Sequence, residues 1–172
     1  MEEKRNDKLR AQIQSLRSGN RSAILSTLKE FRVLGHISIL PDLFDLLVEQ
    51  ESDEVITEIT SLLNDLKDQD GAELLSKAIA NPEYRKVQTH LVAACWQNGL
   101  AYGKYIDTFT EVVITGEYSA AIEAFTVIEE AIGDLDANQR GRMVKKFKAR
   151  LKEVDDEKKP LLSELVKVIE SY

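Results

Sequence analysis

The sequence has few of the residues from which catalytic and metal sites are usually built. Its 172 residues include one cysteine, two histidines and one tryptophan. A single cysteine excludes an internal disulfide, and so few cysteines and histidines do not form a metal-ligand motif. Neither GxxxxGK[ST] nor GxGxxG occurs in the chain, so it carries neither common nucleotide-binding motif. We therefore expect no metal and no cofactor.

Long apolar runs are also lacking. No segment approaches the length of a membrane span, and the first ten residues, MEEKRNDKLR, are charged where a secretory signal would be apolar. The hydrophobic fraction of 43% and the charged fraction of 31% are typical of a globular protein rather than a disordered one. These features predict a cytoplasmic protein that does not bind membranes and forms one domain over residues 1–172.

The periodicity of the apolar residues is helical along almost the whole chain. Stripes at intervals of three and four predict about ten amphipathic helices. Two such stripes are Val55, Ile59, Leu62 and Leu66, and Ile122, Phe125 and Ile128. The strand-like run at 112–115 lies inside a longer helical pattern, so we assign it to a helix.

Helix ends are marked by capping residues. Asn81-Pro82 offers a side-chain cap followed by proline at the first helical position. Asp70 followed by Glu73 has the spacing of a capping box. Glycines at 19, 35, 99, 116 and 133 fall where the helices should stop.

The predicted helices repeat in pairs. A shift of 32 residues places Val55 on Val87 and Ile59 on Leu91, and a further shift of 34 places these on Ala121 and Phe125. Repeats of this length, each containing two helices, are typical of α-solenoids. The predicted repeat boundaries are 2–35, 36–69, 70–99, 100–134 and 135–172.

Two turns in these repeats resemble a known family. Residues 33–43, VLGHISILPDL, are similar to the turn that leads into a new HEAT repeat, and residues 81–87, NPEYRKV, to the turn within one. Segments 95–100 and 125–130 are similar to small bacterial HEAT-like proteins. The resemblance implies an all-α, right-handed superhelix of about five helix pairs whose end repeats act as caps. The role it implies is partner binding.

Few residues are candidates for catalysis. His90 and Cys95 are five positions apart, which on a helix turns their side chains about 140° away from each other. We therefore interpret Cys95 as a buried residue and His36 as a turn residue. Trp96 is interpreted as packing between repeats rather than as a binding anchor. An enzyme of the HEAT-like lyase or glycosylase kind remains an alternative.

Charge is strongly segregated along the chain. Residues 1–35 carry a net charge of +4, residues 36–136 a net charge of −15, and residues 137–172 again +4. We favour a non-enzymatic scaffold that binds a basic or mixed protein partner on a concave face formed by the second helix of each pair. In the predicted register, Ala120 and Ala124 share this face with the candidate partner-binding residues. These candidates are Glu54, Glu58, Lys86, His90 and Glu123.

A basic segment near the C-terminus supports a different hypothesis. Its seven cations could contact phosphates in a nucleic-acid-binding solenoid, although it lacks aromatic residues for stacking on bases. The same basic residues could instead contact the acidic middle of a second copy and cause self-association. These candidate phosphate-binding residues are Arg140, Arg142, Lys145, Lys146, Lys148, Arg150 and Lys152.

Overall fold

The computed structural model describes residues 2–34 and 37–172, and in this part of the chain it contains ten α-helices and no strand. The predicted all-α class is therefore confirmed. Residues 112–115 lie within a helix, as expected, whereas Gly35 and His36 lie outside the described residues. The helices are α1 (Glu2–Leu16), α2 (Arg21–Leu34), α3 (Leu40–Glu49), α4 (Asp53–Asn64), α5 (Asp70–Ala80), α6 (Gln88–Asn98), α7 (Ile106–Thr115), α8 (Tyr118–Ala131), α9 (Ala137–Arg150) and α10 (Lys159–Glu170).

Each predicted repeat contains two of these helices, which pack against each other. Between pairs, the odd-numbered helices contact one another in the order α1, α3, α5, α7 and α9, and the even-numbered helices in the order α2, α4, α6, α8 and α10. Short 3₁₀ segments, such as Pro82–Val87 and Asp156–Lys158, join the two helices of a pair. Consecutive pairs therefore contribute to two parallel rows of helices.

The core is one cluster of buried apolar residues to which both rows of helices contribute. Phe109 on α7 and Phe147 on α9 have no exposed surface. Alanines at 120, 121 and 124 are also buried, and such small residues suit α8, which packs closely on both α6 and α7. The buried positions of α6 and α8 align with a shift of 33 residues, which makes Leu91 equivalent to Ala124 and Cys95 equivalent to Ile128. The predicted shift of 34 between these helices is therefore one residue too long.

Not every predicted cap is present. Asn81 caps the following 3₁₀ segment by accepting a hydrogen bond from Glu83 N at 3.1 Å, as predicted. The predicted capping box at Asp70 is wrong, because Glu73 pairs with Lys77 instead. A capping box that the prediction missed joins Asp136 to Gln139 at the start of α9. Gly99 ends α6 with φ +69°, a left-handed conformation that suits glycine.

The C-terminal end of α7 is a junction of three helix pairs. Arg85, from the turn before α6, donates a hydrogen bond to the carbonyl of Thr115. Lys158, from the turn before α10, donates to the carbonyls of Ile114 and Gly116. Two cations thus satisfy backbone groups that the end of a helix leaves without partners.

Among the described residues, no helix combines the length and apolar character needed to cross a membrane.

Candidate partner-binding surface

Two of the predicted partner-binding residues lie on α4 and face α2. Glu54 pairs with Arg21, and Glu58 lies 3.4 Å from Arg32. Arg32 also contacts Asp65 at 3.2 Å. Both carboxylates are therefore engaged in links between neighbouring helices, where exposed ion pairs add little stability.

The other predicted residues are dispersed. Lys86 points away from α8 and donates to the carbonyl of Val48, near the end of α3, at 3.3 Å. His90 is exposed on α6, and Glu123 is half-buried on α8. Ala120 and Ala124, which the predicted register placed on the binding face, are instead in the core. The face formed by the five predicted residues is therefore not one continuous acidic site.

The most unusual surface lies on α6 and α8. Trp96, Tyr118 and Ile122 are 36%, 40% and 41% exposed, which is high for such large apolar side chains. They lie on two helices in direct contact. We call these three residues the α6–α8 patch. The sequence predicts that Ile122 joins a buried stripe, whereas the structure leaves it exposed; Trp96, predicted to pack between repeats, contacts α8 of the next repeat and is partly exposed.

A hydrogen bond fixes the indole of this patch. Trp96 Nε1 donates to Glu123 Oε2 at 2.6 Å, so the ring lies against the turn of α8 that also carries Ile122. Two helical turns before Trp96 on α6, Thr89 shares a hydrogen bond of 2.9 Å with Ser119, which lies between Tyr118 and Ile122 on α8. Both contacts join α6 to α8. The hydrogen bond to Glu123 fixes the indole at the surface, and an exposed aromatic side chain with a fixed position suits an interface anchor.

Chemistry at His90 and Cys95 is not supported by their positions. Cys95 has no exposed surface, and its thiol donates to the carbonyl of Leu91 at 3.3 Å. Burial raises the pKa of Cys95 to about 12, whereas a nucleophilic cysteine needs a lowered one. His90 is exposed on a different face of α6. The interpretation of Cys95 as a buried residue is confirmed.

We expect Cys95 to resist alkylation while the protein is folded. At pH 8 the raised pKa leaves almost no thiolate, and the side chain has no surface for a reagent to reach. In concentrated urea, iodoacetamide should modify Cys95 completely. Over the same time, the folded chain should remain unmodified. Mass spectrometry of the intact protein measures this. Equal rates in the two conditions would contradict the described packing of α6.

The basic segment is only partly available to a ligand. Arg140 donates to the carbonyl of Leu135 at 2.6 Å, Lys146 pairs with Glu111, Lys148 with Glu170, and Arg150 with Glu153. Among the described residues, the remaining cations of this segment make no ion pair. They are Arg142 and Lys145 on α9 and Lys152 just beyond it.

Comparison with known proteins does not assign this chain to a family. No protein-family model matches the chain, and no curated protein matches it at a significant level. Within residues 2–34 and 37–172, no cluster of three or more histidine, cysteine or acidic side chains is arranged to hold a metal ion. Interpretation of the surface therefore depends on its exposed apolar residues and its charges.

Proposed function

We propose that this protein is a non-enzymatic interaction module that binds a protein partner through the α6–α8 patch. The observation that carries the proposal is the exposure of Trp96 on α6 and of Tyr118 and Ile122 on α8, two helices in direct contact. Clustered exposed apolar residues mark interaction sites, and tryptophan and tyrosine are common among the residues that dominate binding energy.

The wider architecture supports the same role. We propose that the five helix pairs form a right-handed HEAT-like superhelix, with the even-numbered helices on its concave face. The two rows of contacts, odd with odd and even with even, support this arrangement. Stacked helix pairs offer an extended surface on a constant frame. On such a frame the patch would lie near the middle of the row of even-numbered helices. We also propose that the protein acts in the cytoplasm.

The test is affinity capture from an extract of the cells that produce the protein, with nuclease present. The wild type is compared with the double variant Trp96→Ala/Ile122→Ala. Tyr172→Ala is the matched control, since Tyr172 is 65% exposed and outside the patch. We expect a discrete protein whose recovery falls about tenfold or more in the double variant and stays unchanged in the control.

Two outcomes would count against the patch. Equal recovery of every captured protein with the wild type and the double variant would show that binding does not use Trp96 and Ile122. Recovery that depends on nucleic acid, and that is lost in Arg142→Glu/Lys145→Glu/Lys152→Glu, would support the nucleic-acid hypothesis instead. That triple variant uses the three cations of the basic segment that are not engaged by a carboxylate or by the carbonyl of Leu135 in the described part of the chain.

A further inference from the structure

A cavity lies at the C-terminal ends of α6 and α8, the two helices that carry the α6–α8 patch. The cavity has a volume of about 220 Å³. Its apolar wall includes Leu100, Tyr102 and Val127, and its polar side includes Glu130 and Asp134. A space of this size, with an apolar wall and carboxylates, matches the shape and chemistry of a long basic side chain, which has an aliphatic stem and a charged head.

Helical spacing connects the cavity to Trp96. Glu123, Val127, Glu130 and Asp134 follow one another at intervals of four, three and four residues, so they lie along one face of α8 and its 3₁₀ extension. Glu123 accepts the hydrogen bond from Trp96 at the start of this stripe, and the cavity lies at its end. A single bound segment could therefore contact both.

Charge favours a basic occupant. Among the side chains that the structure describes, Glu130 and Asp134 form no ion pair with any cation, whereas Glu54, Glu58 and Asp65 on the side facing α2 are paired. The C-terminal end of α8 adds the negative end of a helix dipole, while the C-terminal end of α6 already accepts a hydrogen bond from Lys67 at the carbonyl of Asn98. Exposed Glu129 adds a further negative charge. An apolar patch next to unpaired carboxylates is complementary to an apolar residue next to a cation.

We infer that the partner presents a short extended segment in which an apolar residue packs on the α6–α8 patch and a lysine or arginine enters the cavity. This inference rests on the proposed function. Glu123 and Glu130 are seven residues apart, about 10 Å along the helix. An extended chain advances about 3.3 Å per residue, so the apolar residue and the basic residue should be about three positions apart.

The test uses a library of random peptides displayed on phage and selected on the full chain. We expect enriched peptides to share an aromatic or aliphatic residue about three positions from a lysine or arginine. Glu130→Gln/Asp134→Asn should weaken a selected synthetic peptide about tenfold. Glu49→Gln/Glu51→Gln is the matched control, since it changes net charge equally at exposed positions away from the cavity, and it should leave the affinity unchanged.

A double-mutant cycle assigns the contact. Replacing the peptide lysine by norleucine, or its arginine by citrulline, should weaken binding to the wild type but not to Glu130→Gln/Asp134→Asn. Some peptides could bind Trp96→Ala/Ile122→Ala weakly, yet carry no basic residue or bind Glu130→Gln/Asp134→Asn as tightly as the wild type. Such peptides would overturn this inference and leave the proposed function standing. Peptides whose affinity is unchanged by both double variants would overturn both.

Discussion

Replacing Phe109 with alanine is expected to lower the free energy of unfolding by about 4 kcal/mol. The Phe109 ring has no exposed surface, and it packs edge-on against Tyr102 with ring centroids 5.4 Å apart and an interplanar angle of 82°. Truncation to alanine removes buried apolar area and leaves a cavity, because the surrounding residues can relax only partly. Such changes lower the free energy of unfolding by about 3–5 kcal/mol. Urea denaturation followed by circular dichroism at 222 nm measures the change.

Phe109→Leu is the matched control because leucine fills most of the same volume. It should cost about 1 kcal/mol. If alanine and leucine gave the same small loss, Phe109 could not be as tightly enclosed as its burial indicates. The midpoint and the slope of the urea transition should be compared together, since a changed slope would mean that the change in stability cannot be read from the midpoint alone.

The sequence predicts the helices because burial on one face leaves a periodic signal. It predicts five segments of two helices for the same reason, since the apolar stripes recur at nearly constant intervals. Asparagine at 81 lies at the start of a helical segment, as expected, and prolines at 41 and 160 lie in the first turns of α3 and α10. Each of these features depends only on residues close together in the chain, and local preferences decide such features.

The surface was harder to predict because α8 is apolar nearly all round. Ala121, Ile122, Ala124 and Phe125 are all apolar, so periodicity alone does not choose the buried face. Hydropathy favours burying isoleucine, but the structure buries Ala121 and leaves Ile122 exposed. The clustered alanines are the signal that could have corrected this choice, because small residues are the ones that fit where two helices approach closely.

The place of Trp96 depends on a contact between repeats. The sequence indicates that this residue packs between repeats, and in the structure its indole is 36% exposed and donates to Glu123 on the next helix pair. That partner is 27 residues away in the chain, and no local pattern links the two. Contacts between these repeats depend on how α6 packs on α8. An error of one residue in the predicted alignment of the two helices is enough to hide which residues meet.

Lys158 is the other residue whose role the sequence conceals, because there it only contributes to the net charge of +4 over residues 137–172. It is only 4% exposed. Its ammonium group donates to two carbonyls at the end of α7, that of Ile114 at 3.2 Å and that of Gly116. Burial lowers the pKa of Lys158 from its ordinary value. The ammonium group thus connects the turn before α10 to the preceding helix pair.

Replacing Lys158 with methionine is expected to lower the free energy of unfolding by about 3 kcal/mol. Methionine retains the unbranched apolar stem, but it leaves two buried carbonyls without a donor, and each such loss costs about 1–3 kcal/mol. Lys159→Met is the matched control. Lys159 is next to Lys158 in the chain, but it is only half-buried and pairs with exposed Asp156, so this change should cost less than about 0.5 kcal/mol. Equal losses in the two variants would contradict the junction.

The difference in the free energy of unfolding between the wild type and Lys158→Met should also depend on pH. Because the pKa of Lys158 is lower in the folded chain than its ordinary value of 10.5, the unfolded chain holds more protons in the window just below pH 10.5. Stability of the wild type therefore rises with pH through this window relative to the variant. Urea titrations of both proteins between pH 8 and about 10.5 measure this. A difference that stays constant with pH would show that Lys158 is hydrated rather than buried against α7.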